Sequence, residues 1–272
     1  MQTLIPSLTI ATMGVAALIG VAIPVVLYIL LRKKGANHLP FWTGAVTFVL
    51  FALGLENLVY AILMKTPFWL TINSNFWLVA IFGGFMAGLF EETGRFFAMK
   101  TVLRKKRAND YNGIMYGAGH GGIEAVILLS VTMVINVIFS LQTNAGIASP
   151  FGGPDLAQQF ANMPFWVMLV GALERISAVA SHISLSVLVW FAAKDKKKFM
   201  LYPLAILLHL VIDAVAVILS RLGMNVWLIE GAVYAMAIAL VLLAISVWKK
   251  NHVAAVEAAP AEEAVAEAET QA

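Results

Sequence analysis

The chain has 272 residues, of which 61% are hydrophobic and 12% charged, and its mean hydropathy is +0.87. Soluble domains carry about 45–50% apolar and about 25% charged residues, so this composition excludes a polar-surfaced globular protein and describes an integral membrane protein. The absence of cysteine removes disulfides, thiolate metal sites and cysteine nucleophiles, and the net charge of +3 is held in short clusters rather than in a nucleic-acid-binding face.

Crossing a bilayer takes about 20 apolar residues. Seven runs reach that length: 4–31, 41–64, 76–103, 112–140, 164–193, 199–220 and 226–248. The first run has no basic residue before it and ends in Arg32-Lys33-Lys34, the reverse of a cleavable signal peptide. It reads as a retained first helix. Arg104, Lys105, Lys106 and Arg107 follow run three; Lys194, Lys196, Lys197 and Lys198 follow run five; Lys249 and Lys250 follow run seven. The opposite loops hold only Lys65 and Arg221. Positive loops stay in the cytoplasm, which predicts seven spans with the N-terminus outside and the C-terminus inside. The loop at 142–163, with Gly146, Pro150, Gly152, Gly153 and Pro154, reads as a turn-rich linker. The expected organisation is an all-α polytopic transmembrane domain over 1–250, followed by a disordered Ala/Glu-rich cytosolic tail over 251–272.

Ionisable side chains inside a span are costly unless they are paired or face a cavity, so each one is a functional candidate. Here they are Glu56, Glu91, Glu92, Arg95, His120, Glu124, Glu174, Arg175, His182, His209 and Asp213. At about 1.5 Å per residue, Glu91, His120, Glu124, His182, His209 and Asp213 all lie about 12–21 Å from the basic ends of their spans. Four helices thus present carboxylates and imidazoles in one layer. Within the helices, Glu91/Arg95, His120/Glu124 and His209/Asp213 are each four apart and share a face. Gly113, Gly117 and Gly121 run along much the same side as His120 and Glu124, and Gly84 and Gly88 precede Glu91. Such small-residue stripes let a neighbouring helix come close. Glu174 and Arg175 read as inter-helix hydrogen-bonding groups, as does Glu56 with Asn57. His38, His252 and Glu230 sit at helix ends or in the tail and read as solvated.

No HExxH sequence, GxSxG nucleophile motif or second intramembrane aspartate is present. What remains is carboxylate and imidazole, which suit water activation, proton donation or divalent-metal binding. The same layer would also serve a proton-coupled transporter or channel as a relay, or a non-catalytic scaffold as a binding surface.

Glu91-Glu92-Thr93-Gly94-Arg95, Gly119-His120-Gly121-Gly122-Ile123-Glu124, the lone His182 and His209-Leu210-Val211-Ile212-Asp213 resemble the motifs of the CPBP/PrsW superfamily of intramembrane peptidases. Its PrsW members carry EExxK, FxxxE and HxxxD. This chain has EExxR, HxxxE and HxxxD, and its longer strings look most like the YhfC-type branch. The resemblance implies a multi-pass protein of the bacterial plasma membrane, with an active site between spans three to six. It would act on a membrane-associated protein or peptide. The implied catalytic set is Glu91, Glu92, His120, His182 and His209, supported by Arg95, Glu124 and Asp213. One of Glu91 and Glu92 would be the general base, with Arg95 holding the other. The resemblance is compatible with a glutamate-only scheme and with a metal scheme, in which Zn²⁺ would sit on His120, His182 and His209.

Overall fold

The computed structural model describes residues 4–252, so the tail expected to be disordered lies outside the described residues except for Asn251, which ends the last helix, and His252. Seven helices are long and apolar enough to cross a membrane: Ser7–Lys33, His38–Leu63, Phe76–Lys100, Tyr111–Asn144, Val167–Lys194, Lys196–Arg221 and Val226–Asn251. They are numbered here as spans one to seven. No strand occurs among the described residues, so the all-helical, seven-span expectation holds. Three helices run past the apolar runs because their last turns carry Arg32 and Lys33, Lys194, or Lys249 and Lys250. Cations at a helix C-terminus offset the macrodipole, so the basic residues continue the helix.

The linker between spans four and five is less irregular than its composition suggests. Pro154 opens a short helix, Pro154–Asn162, because its fixed φ and missing N–H suit the first helical position. Ala157 and Phe160 of that helix pack with Phe139, Met13 and Met168 to close this end of the bundle.

Span five is the hub. Of its most apolar stretch, 78% is buried against protein, compared with 33% or less in every other span. The glycine stripes set the close approaches around it. A Cβ at Gly117 would stand 2.6 Å from the Ile183 Cα of span five, and one at Gly121 would stand 3.0 Å from the His182 Cβ. Span three meets span six in the same way: Cβ atoms at Gly84 and Gly88 would lie 2.6 and 2.8 Å from the carbonyl oxygens of Leu210 and Ile206. Spans four and six are thereby drawn against five and three, and the polar face of each points inward. Two π-helical turns, Val49–Glu56 in span two and Val126–Val131 in span four, flank this region. Such wide turns often mark functional sites.

Candidate metal and proton-transfer site

The four polar helix faces converge. Glu91 Oε2 lies 2.9 Å from His120 Nε2 and 3.8 Å from His182 Nδ1. The ring centroids of His120 and His182 are 5.0 Å apart, and those of His182 and His209 are 5.5 Å apart. Glu92, Arg95 and His120 have no exposed surface, while Glu91, Glu124, His182 and His209 are nearly buried. All eight residues expected at the site from the sequence are brought into one neighbourhood.

Their pairing separates the two adjacent glutamates. Arg95 forms an ion pair with Glu92 at 3.3 Å. Arg95 also donates to the His182 carbonyl at 3.1 Å and to His182 Nδ1 at 3.2 Å. His209 Nδ1 donates to Glu92 Oε1 at 2.9 Å, and its Nε2 lies 3.4 Å from Asp213 Oδ2. Glu92 and Arg95 therefore form a dry pair that orients two imidazoles on other spans. Charged hydrogen bonds in a low-dielectric interior are stronger than in water, so this pair holds both rings firmly. Glu91 faces a cavity instead.

That cavity measures about 880 Å³ and is lined at its inner end by Glu91, Glu124, His182, His209 and Asp213. It continues between spans five, six and seven to Ser220, Arg221 and Glu230, at the end of the bundle away from the basic loops. Glu124 contacts His182 Nε2 and accepts from Arg175 Nη1, and Arg175 also pairs with Glu174. Arg175 takes the expected inter-helix role by tying span five to span four, whereas the pairing of Glu174 is with Arg175 on its own span. Glu56 lies within electrostatic reach of Glu91, His209 and Asp213.

Glu91, His120 and His182 each place one ligand atom within 4.8 Å of the others. Two imidazoles and one carboxylate form the donor set of catalytic zinc sites, which keep a fourth position open. His120 Nδ1 has no hydrogen-bond partner, and Arg95 donates to His182 Nδ1, the ring nitrogen that faces Glu91. The residues fit a metal. The trio differs from the His120/His182/His209 set expected from the sequence: the His209 ring is engaged by Glu92 and Asp213, and Glu91 stands beside the other two imidazoles.

A family model described as YhfC intramembrane metalloprotease matches residues 19–233. The chain belongs to the YhfC family. It is 32% identical over 209 residues to a protein of Bacillus subtilis (strain 168) described as the uncharacterized membrane protein YhfC, a match that covers 70% of this chain and 76% of that one. No solved structure matches. With its seven apolar spans and its bacterial membrane relative, this YhfC-family chain is a multi-pass bacterial membrane protein. The match takes in every residue of the convergent layer.

Two features escaped the sequence reading. Glu230, expected to be solvated, is only 9% exposed and lines the cavity. Asp110, in the loop before span four, is 1% exposed and collects Trp190, Lys194 and His252. The aspartate's position directly before an apolar run, as a helix-capping residue would be, was the only local signal for the second.

Proposed function

We propose that this protein is a metal-dependent intramembrane endopeptidase that hydrolyses a peptide bond of a membrane-associated protein or peptide. The observation that carries the reading is the Glu91/His120/His182 trio, two of whose members, Glu91 and His182, line the inner end of a large cavity. These three residues would hold the ion, with Zn²⁺ the best match to the donors. When bound, such an ion supplies Lewis-acid polarisation of the scissile carbonyl and lowers the pKa of water.

The protein's own groups supply the rest. Glu124 reaches the cavity and contacts His182, so its carboxylate is placed to take the proton of the attacking water. His209 lines the same cavity and is held by Glu92 and Asp213. Its imidazole is placed to hydrogen-bond the developing oxyanion or to protonate the departing amine. Water adds to the carbonyl carbon, the C–N bond breaks, and the proton gathered by Glu124 is matched by one delivered to the amine. Glu92 and Arg95 act by positioning His182 and His209. The basic loops favour a topology with the N-terminus outside and the C-terminus in the cytoplasm.

The test uses purified protein in nanodiscs and a library of fluorogenic apolar peptides. Wild type is expected to cleave and to contain metal by mass spectrometry; chelation should stop cleavage and zinc should restore it. Glu91→Gln and His120→Ala should reduce both metal content and cleavage to background. Unchanged cleavage in both variants sinks the proposal. Absence of hydrolysis combined with proton-gradient-driven flux in liposomes replaces it with the relay reading.

A further inference from the structure

The cavity has two ends of different chemistry. The inner end is the Glu/His layer. The outer end, where span six finishes and span seven begins, carries Glu174, Glu230 and Arg221. Between them the wall is mostly apolar, with Ile212, Ala216, Val217 and Val233.

Glu230 is the anomaly. It is 9% exposed, and its Oε2 has no hydrogen-bond partner. The neighbouring guanidinium is already committed: Arg175 serves Glu124 and Glu174 together. Arg221, on the rim, forms no ion pair within 4 Å among the described residues. Glu174 lies within electrostatic reach of Glu230 and adds to the negative potential. Buried polar groups in proteins are ordinarily paired, and a carboxylate without a cation is costly. A carboxylate in a cavity wall with no internal partner is suited to a cation brought in by the occupant.

Resting on the peptidase reading, we propose that Glu230, with Glu174 beside it, is a substrate subsite for the cationic side chain of a lysine or arginine. The span lengths set the register. Glu174 is two helical turns from His182, and Arg221 is two turns from Asp213, so the outer end lies about 12 Å from the reacting layer. An extended peptide covers about 3.3 Å per residue. The basic residue therefore lies about three to four residues from the scissile bond, with apolar residues between. The substrate class is an apolar segment bearing one basic residue at that spacing, entering from the end opposite the basic loops.

The probe is a set of dye-labelled leucine/alanine peptides in which one lysine, or norleucine as its uncharged match, is walked along the chain. Binding by anisotropy and cleavage by mass spectrometry are both read on the full-length protein in nanodiscs. At the matching position, lysine should exceed norleucine by about tenfold or more in affinity or kcat/KM, the factor of one charge-assisted hydrogen bond. Glu230→Gln should erase that difference, and Glu230→Lys should shift the preference to a glutamate-bearing peptide. A wild-type protein indifferent to lysine at every position overturns the subsite, as does a preference that survives Glu230→Gln. The wild-type comparison decides by itself should a variant not fold. Lysine-selective binding without cleavage supports the subsite and sinks the peptidase reading; cleavage without selectivity does the reverse.

Discussion

Two buried polar clusters in this molecule use the same ingredients and differ in what is left over. At the basic end, Asp110 accepts from Trp190 Nε1 at 2.8 Å and from Lys194 through Oδ1, while His252 lies 3.1 Å from Oδ2. Both oxygens are engaged, and Asp110 lines none of the principal cavities. The intramembrane layer also combines carboxylates, imidazoles and cations, yet His120 Nδ1 has no hydrogen-bond partner. Glu91, Glu124, His182, His209 and Asp213 border about 880 Å³ of space. A saturated cluster fastens chain segments together. A cluster with an unpartnered ring nitrogen and a cavity along its edge has capacity for chemistry, and burial alone does not tell the two apart.

The largest effect that would sharpen this contrast is expected at Glu124. Glu124→Gln preserves shape and removes the proton acceptor, so hydrolysis should fall by about 10²–10⁴-fold, the usual contribution of a positioned general base. Metal content should stay at the wild-type level, since Glu124 is outside the donor trio. Metal analysis and single-turnover cleavage on one preparation check both halves. Retained activity would place the base elsewhere in the layer, while lost metal would make Glu124 a ligand.

Arg95 comes next, because it belongs to the layer but, like Asp110, fastens segments of different spans together. Its guanidinium has no exposed surface and serves Glu92, the His182 carbonyl and His182 Nδ1. Removing one partner of a buried ion pair leaves an uncompensated charge and costs about 3–5 kcal/mol. Arg95→Gln should lower thermal stability by an amount of that order in a detergent melt. Arg95→Lys should recover only part, since an ammonium lacks the planar fork that bonds carboxylate and imidazole together. A melt unchanged by Arg95→Gln would mean that Glu92 and the two imidazoles hold their places without it.

The layer itself was legible in the sequence, because helix period and depth are local properties. The four-residue spacing of His120/Glu124 and His209/Asp213, and the common distance from the basic ends, suffice to bring those residues together. Partner choice across helices is not local. Three histidines suggested a three-histidine metal site; in the structure His209 is engaged by Glu92 and Asp213, and the group with ligand atoms close together is Glu91, His120 and His182. Glu230 was misread for a related reason. Nearness to a helix end implies solvent only where no neighbouring helix covers it, and here spans five and six enclose the carboxylate in a cavity wall. Asp110 was invisible because its partners lie 80 and 142 residues away.

The smallest effect tests the other side of the comparison. Asp110 joins the loop before span four to Trp190 and Lys194 near the end of span five and to His252 just past span seven. Asp110→Asn removes the charge that Lys194 neutralises and turns one acceptor oxygen into a donor. Unsatisfied buried groups of this kind cost about 1–3 kcal/mol. The melt should shift by less than in Arg95→Gln, and the Trp190 indole, losing a charged acceptor, should report the change in its fluorescence. Metal content and cleavage below the melting temperature should not change, because the cluster's connection to the layer is mechanical, along spans four and five. A loss of metal in Asp110→Asn would show that the packing of span five carries strain from the basic end as far as His182, and the two clusters would then have to be treated as one.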